Sequence, residues 1–196
     1  MIAYKDPIVL DKELTPLDEF TQRFCSFLKG TSHVLVAGYV SILFGRSRQS
    51  EDVDLLISAD KPSFTALWNV LVQHFDCLNA QTADQAFDEY LQNGSAVRFS
   101  DPGQAIPNME VKLAKNSLEV WSLQHRKRVE LNGKPLFIAP LEVQIPFKLW
   151  LGSEKDIEDA RHLWNLFKEQ LDRALLDDFG KKLKIEEALR RYCESP

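Results

Sequence analysis

The sequence predicts a mixed α/β (α+β) fold: a small mixed sheet flanked by helices over residues 1–139, then a helical C-terminal subdomain over residues 140–196. Three observations carry that prediction. Short apolar or alternating runs recur between amphipathic stretches of helical period through the first 139 residues. An Asn132-Gly133 pair sits between two alternating runs, which is the pattern of a tight hairpin. After Pro140 the alternation stops and the apolar residues fall at helical spacing.

In chain order, "TPLDEFTQRFCSFLKG" (15–30) opens with Thr15 as a helix cap, Pro16 at the first helical position and Asp18 placed to reach back as in a capping box. Phe20, Phe24, Phe27 and Leu28 share one face of that helix, and Gly30 is expected to end it. "HVLVAG" (33–38) is a short apolar run read as a buried strand, "YVSILFG" a short helix, and "DVDLLIS" (52–58) the next strand. "KPSFTALWNVLVQHF" (61–75) has helical period, with Phe64, Leu67, Trp68, Leu71, Val72 and Phe75 as its apolar stripe. "TADQAFDEYLQ" (82–92) reads as a helix stopped by Asn93-Gly94. "SAVRFS" (95–100) and "MEVKLA" (109–114) alternate like strands, joined by the Pro- and Gly-containing loop between them. The tail predicts helices over "LEVQIPFKLWLG", "SEKDIEDARHLWNLFKEQL" and "DRALLDDFGKKLKIEEALRRYC", with Trp150, Trp164 and Phe167 as the core of that subdomain.

With 44% hydrophobic and 27% charged residues the chain can bury a proper core. A net charge of −5 argues against a general nucleic-acid coat, although "RSR" (46–48) and "HRKR" (125–128) leave room for local basic patches. Cys25, Cys77 and Cys193 lack paired spacing, which excludes a CxxC centre and points to a reducing compartment. The four histidines have no metal-ligand spacing. No run approaches the roughly 20 apolar residues of a membrane span. The N-terminus carries charges where a signal peptide needs its apolar core, so a cytoplasmic, soluble protein is expected.

The chemistry concentrates in "FGRSRQSEDVDLLIS" (44–58). Alternation puts Asp52 and Asp54 on one face of their strand while Val53, Leu55 and Ile57 point to the other. Two carboxylates side by side repel, and one takes up a proton unless a cation neutralises them. A hard divalent ion accepts such oxygens and works beside substrate phosphates, so an Asp-x-Asp strand edge suits phosphoryl or nucleotidyl transfer. Upstream, Gly38 at a strand-to-helix turn lets backbone approach a phosphate closely. Arg46, Arg48, Ser47 and Ser50 offer phosphate partners.

These residues carry a family likeness. "VLVAGYVSILFGRSRQSEDVDLLIS" resembles the signature of the nucleotidyltransferase superfamily (the polymerase-beta-like fold), and "RQSEDVD" a variant in the small nucleotidyltransferase-like proteins that include type IV abortive-infection toxins. "IAPLEVQIPFKLWLGSEKDIEDARHL" is similar to their C-terminal segment, a lysine-bearing helix before a Lys-Asp-x-x-Asp helix. The likeness spans residues 33 to about 167 and implies an NTP substrate, Mg²⁺ (or Mn²⁺) on Asp52 and Asp54, and a third acidic ligand or base on a neighbouring strand. Glu110 in "NMEVKLA" best fills that place, with Lys112 on the same face; Asp101, in a turn sequence, is the weaker rival. The resemblance further implies that Gly38, Arg46, Arg48, Ser50 and Lys148 position the triphosphate and that Lys155, Asp156 and Asp159 turn toward the cleft. His162 is expected on the helix surface.

One residue departs from the pattern. Tyr39 stands where the family has a small residue, so its ring either swings clear or alters triphosphate binding, with Ser41 as the alternative donor. Two functional readings follow. The first is a nucleotidyltransferase that moves a nucleoside monophosphate onto a hydroxyl of RNA, a protein or a small molecule. The second is a catalytically silent nucleotide-binding or protein-interaction module of the same fold. An unrelated α/β protein would instead hold Asp52, Asp54 and Glu110 far apart.

Overall fold

A computed structural model describes residues 2–194, so the outermost positions of the 1–139 and 140–196 division (1, 195 and 196) lie outside the described residues. The elements run β1 (Ile8–Leu10), α1 (Pro16–Ser26), β2 (Ser32–Val36), α2 (Gly38–Leu43), β3 (Asp52–Ser58), α3 (Lys61–Leu71) and β4 (Asp76–Cys77). Next come α4 (Ala83–Gln85), which continues as π-helical and 3₁₀ turns to Asn93, then β5 (Val97–Ser100), β6 (Asn108–Leu113) and α5 (Ser117–Gln124). The hairpin β7 (Lys127–Leu131) and β8 (Lys134–Ile138) precedes α6 (Leu141–Leu151), α7 (Glu154–Phe167), α8 (Arg173–Leu183) and α9 (Glu186–Leu189).

The strands form one mixed sheet in the order β1-β7-β8-β2-β3-β6-β5-β4. β1–β7, β2–β8 and β3–β6 pair parallel, and the remaining neighbours antiparallel. It is the mixed sheet flanked by helices that the sequence predicts, and among the described residues it counts eight strands. β1 and β4, of three and two residues, are too short to leave readable alternation. The Asn132-Gly133 hairpin forms as expected, both residues at positive φ (48° and 78°), as a two-residue turn with the strands' own twist requires.

The odd-numbered side chains of β3 build the main core. Val53, Leu55 and Ile57 are fully buried in one cluster with Phe20 and Phe24 of α1, Phe64 of α3, and Phe75 and Phe99. Rings of Phe24 and Phe75 meet at 4.9 Å and those of Phe24 and Phe99 at 5.8 Å, at tilted angles that aromatic quadrupoles favour. On the opposite face Leu56 and Val34 pack with Leu123 of α5, Val143 of α6 and Phe179 of α8. Helices α5, α6 and α8 thus cover one end of that face, with Asp52 and Asp54 further along β3.

The Thr15 cap is built as expected: its hydroxyl accepts from the Asp18 backbone N–H and the Asp18 carboxylate accepts from the Thr15 N–H. Asp18 is fully buried and also accepts from the Tyr39 hydroxyl at 2.9 Å and pairs with Lys12 at 2.9 Å. Burial alone would raise its pKa, but the donors from Thr15, Lys12 and Tyr39 together hold it below the usual carboxylate range. Three local expectations are corrected. α1 ends at Ser26, and Gly30 at φ 85° serves the following turn instead. Val72 lies past the end of α3 and is exposed. Trp150 is 54% exposed and stacks on Phe147, whereas Trp164 and Phe167 are buried as expected.

An ionic cluster fastens the helical tail to the β2–β3 connection. Asp159 of α7, fully buried, accepts from Lys148 Nζ of α6 at 2.8 Å and from Arg48 through Nε at 3.1 Å and Nη2 at 2.9 Å. Lys148 is itself 1% exposed and reaches Asp156 at 3.2 Å. Arg46 lies 3.6 Å from Asp159 and pairs with Glu158. A carboxylate so placed is held by its donors; without it Arg48 loses its carboxylate partner and buried Lys148 keeps only Asp156. Asp159→Ala is therefore expected to cost about 3–5 kcal/mol of folding free energy in denaturant unfolding. The combined Lys148→Met, Asp159→Leu variant should recover much of that loss, and an unchanged midpoint for Asp159→Ala would refute the fastening role.

Candidate active site

The parallel register of β3 on β6 assembles the site. It sets Asp52 opposite Asn108, Asp54 opposite Glu110 and Leu56 opposite Lys112, all on the face away from the main core. Asp54 and Glu110 therefore meet directly, as side chains across neighbouring strands do. Lys112 Nζ reaches between them, 3.1 Å from Asp54 Oδ1 and 3.3 Å from Glu110 Oε2. Arg98 of β5, cross-strand from Glu110, pairs with its other oxygen at 2.6 Å. Asp52 is exposed at the strand's entrance, where Ser50 Oγ lies 3.3 Å from its Oδ1.

Electrostatics distinguishes these carboxylates. Burial pushes the Asp54 pKa above the usual range; Lys112 pulls it down, and Glu110 and Asp52 push it up further. Burial would depress the Lys112 ammonium, but Asp54 and Glu110 outweigh that and raise it. Among the described residues no group of three or more His, Cys, Asp or Glu is arranged to hold a metal ion. The ammonium of Lys112 sits between Asp54 and Glu110. The donor chemistry nonetheless suits a hard divalent ion: carboxylate oxygens on one face, from buried Glu110 through half-buried Asp54 to exposed Asp52, with Asp54 and Glu110 organised around positive charge.

The other candidates divide into groups. Asp52, Asp54, Glu110, Lys112 and Ser50 converge on one face. Arg46, Arg48, Lys148 and Asp156 meet in the ionic cluster beside Asp159, and Lys155 is exposed on α7. Tyr39 answers its own question: its ring points into the core toward Asp18, clear of the carboxylates, and burial with the Asp18 charge raises its pKa strongly. A side chain on Gly38 would meet Arg48 Nη2 at 2.3 Å, so the space the glycine leaves is taken by that guanidinium. Asp101 is paired with Arg23 at a turn, and His162 Nε2 contacts the Phe44 carbonyl at 3.0 Å between helices. In "HRKR", Arg126 lies over the Phe137 ring and donates to the His33 carbonyl, while Arg128 pairs with Glu130.

Two residues of the site escaped the sequence reading. Ala37, before α2, has φ 56° and ψ −130°, a conformation normally left to glycine that costs about 1–3 kcal/mol. Its N–H donates to Gln144 Oε1 of α6 at 3.3 Å. Both line a cavity of about 160 Å³ between the sheet, α5 and α6, with Asp54 and Lys112 in its wall. Nothing in "LEVQIPF" singles out Gln144 from Glu142 two residues before it, and nothing in an alanine announces positive φ. A larger cleft of about 490 Å³ beside the β7–β8 hairpin contains no carboxylate and so lacks the chemistry.

No protein-family model matches the sequence, and no curated protein matches it. Solved structures do. An antigenic nucleotidyltransferase-like protein from Paracoccidioides brasiliensis superposes with a TM-score of 0.54 at 18% identity, covering 89% of this chain and 90% of that one. The antibiotic-resistance factor ANT(2″)-Ia in solution gives 0.51 at 12% identity, over 90% of this chain and 99% of that one. The same factor in complex with adenylyl-2″-tobramycin gives 0.52 at 13% identity, over 86% and 99%. At these identities the likeness is one of architecture, and the chain has the nucleotidyltransferase-like fold.

Proposed function

We propose that the protein is a nucleotidyltransferase that moves a nucleoside monophosphate from an NTP to a hydroxyl acceptor. The observation that carries this reading is the β3–β6 register, which puts Asp52, Asp54, Glu110 and Lys112 on one face, with Asp54 and Lys112 in the wall of a cavity. The adenylylated ligand bound to ANT(2″)-Ia, a chain of the same fold, supports it. Residues 1–139 would supply the carboxylates and residues 140–196 the far wall.

Mg²⁺ or Mn²⁺, held by Asp52 and Asp54 with Glu110 near, would neutralise phosphate charge. Lys112 is the group that changes partners: an arriving triphosphate offers its ammonium more negative charge than Asp54 and Glu110 together. Its departure frees Glu110 Oε2 to accept the proton of the acceptor hydroxyl, while Oε1 stays on Arg98. That oxygen then bonds to the α-phosphorus, and pyrophosphate leaves with the electron pair of the broken P–O bond. The acceptor is a hydroxyl of RNA, a protein or a small molecule. Arg48 filling the space at Gly38 favours the second reading, a silent module, and the same experiment separates the two.

Transfer from α-labelled NTPs is the test. Asp54→Asn should lower it about a hundredfold or more, and unchanged transfer would exclude the assignment. The stability effect runs the other way. A carboxyl whose folded pKa is raised binds its proton more tightly when folded, so its contribution favours folding at low pH and is lost as pH rises through that pKa. At neutral pH the Asp54→Asn protein should therefore melt no lower than wild type. In the metal-free protein Lys112→Met removes the cation that lowers the Asp54 pKa, so the loss of this contribution with rising pH should shift to higher pH in denaturant unfolding; an unmoved profile would separate Lys112 from Asp54.

A further inference from the structure

The cleft of about 490 Å³ lies between the turn after α1, the start of β2 and the β7–β8 hairpin. It is at the far end of β2 from the carboxylates: Ser32, in its wall, pairs with Ser58, whereas Val36 pairs with Asp54. A strand of five residues sets those ends about 13 Å apart. Lys29, Arg126 and Lys134 line the cleft, and no carboxylate does. In a chain of net charge −5 that is a local concentration of positive charge. Among the described residues no ion pair reaches any of the three.

Arg126 is built into that wall. Its guanidinium carbon lies 4.3 Å from the centre of the Phe137 ring, a cation–π contact, and Nη1 donates to the His33 carbonyl at 2.8 Å and to Ser32 Oγ at 3.1 Å. These contacts fix the plane of the group. Nε and Nη2 have no hydrogen-bond partner among the described residues, and neither is buried. That edge is the fork that matches two oxygens of a carboxylate or phosphate. Burial works against the charge of Arg126, and no neighbouring carboxylate offsets it. Half-buried Phe137 and Pro135 add apolar surface, and the volume is in the range of small-molecule sites. The geometry points to a binding site for a small organic oxyanion. Its carboxylate or phosphate lies on the Nε–Nη2 edge of Arg126, Lys29 and Lys134 add charge from flexible stems, and its apolar body rests against Pro135 and Phe137. The assignment does not depend on the nucleotidyl-transfer reading.

Calorimetric titration of the full chain with phenyl phosphate, benzoate and inorganic phosphate tests it, at about 0.1 M salt so that distant charges are screened. At least one of the two aryl anions should bind wild type about tenfold or more above inorganic phosphate, as burial of its ring allows. Which of the two binds more tightly distinguishes a phosphate ligand from a carboxylate one. Arg126→Gln should weaken that binding about tenfold or more, because hydrogen bonds to a charged group are lost. The double variant Lys29→Ala, Lys134→Ala should weaken it several-fold, and since both lysines are exposed it keeps the test open if Arg126→Gln fails to fold. Arg128→Gln removes the same charge from an arginine already paired with Glu130 and should leave affinity within about twofold. No binding of either aryl anion at millimolar concentration, or inorganic phosphate binding as tightly as both, would overturn the site. So would affinity that survives both the Arg126 and the lysine variants, or a loss that Arg128→Gln matches.

Discussion

The structure depends on one pairing, the parallel register of β3 against β6 that sets Asp54 directly across from Glu110. Apolar burial locks that register, because a slip of one residue would turn Val53, Leu55 and Ile57 out of the core and the acids into it. The core thereby forces two carboxylates together on the other face. Lys112 and Arg98 relieve the repulsion, one from the same strand as Glu110 and one from the strand beside it. Asp54 and Glu110 are thus gathered around one resident cation, Lys112, whose ammonium sits on a flexible stem.

The helical tail depends on a second set of charges. Asp159 and Lys148 are as deeply buried as the aromatic core, and Arg48, the other cation on Asp159, comes from the connection leading into β3. The cluster ties α6 to that connection, and α6 carries the Gln144 that meets Ala37. Removing charge at Asp159 therefore reaches the carboxylate row only through packing, whereas a change at Lys112 acts on it directly.

Much of this was legible in the sequence, and what was not has physical causes. Period-two alternation revealed the shared face of Asp52 and Asp54 and that of Glu110 and Lys112, because alternation is local and core burial enforces it; the candidacy of Glu110 itself came from the family resemblance. The helix cap at Thr15 and the hairpin at Asn132-Gly133 were readable for the same reason. Partners distant in sequence were not: nothing near Lys148 announces that it will be buried on Asp159, or near Arg48 that it will lie against Gly38. α5 was missed although Asn116 and Glu119 form a capping box, because its apolar residues are spread around the helix and give no stripe. Tyr39 looked like an obstacle in the site, yet its direction is set by Asp18, 21 positions earlier.

The most direct measurement is an anomalous difference map from crystals of the protein grown with Mn²⁺ and a non-hydrolysable NTP analogue. The account predicts a metal peak against Asp52 and Asp54, phosphates beside it, and Lys112 turned from Asp54 onto a phosphate oxygen. Nucleotide bound elsewhere, such as in the cleft beside the β7–β8 hairpin, with Lys112 still seated between Asp54 and Glu110, would contradict it.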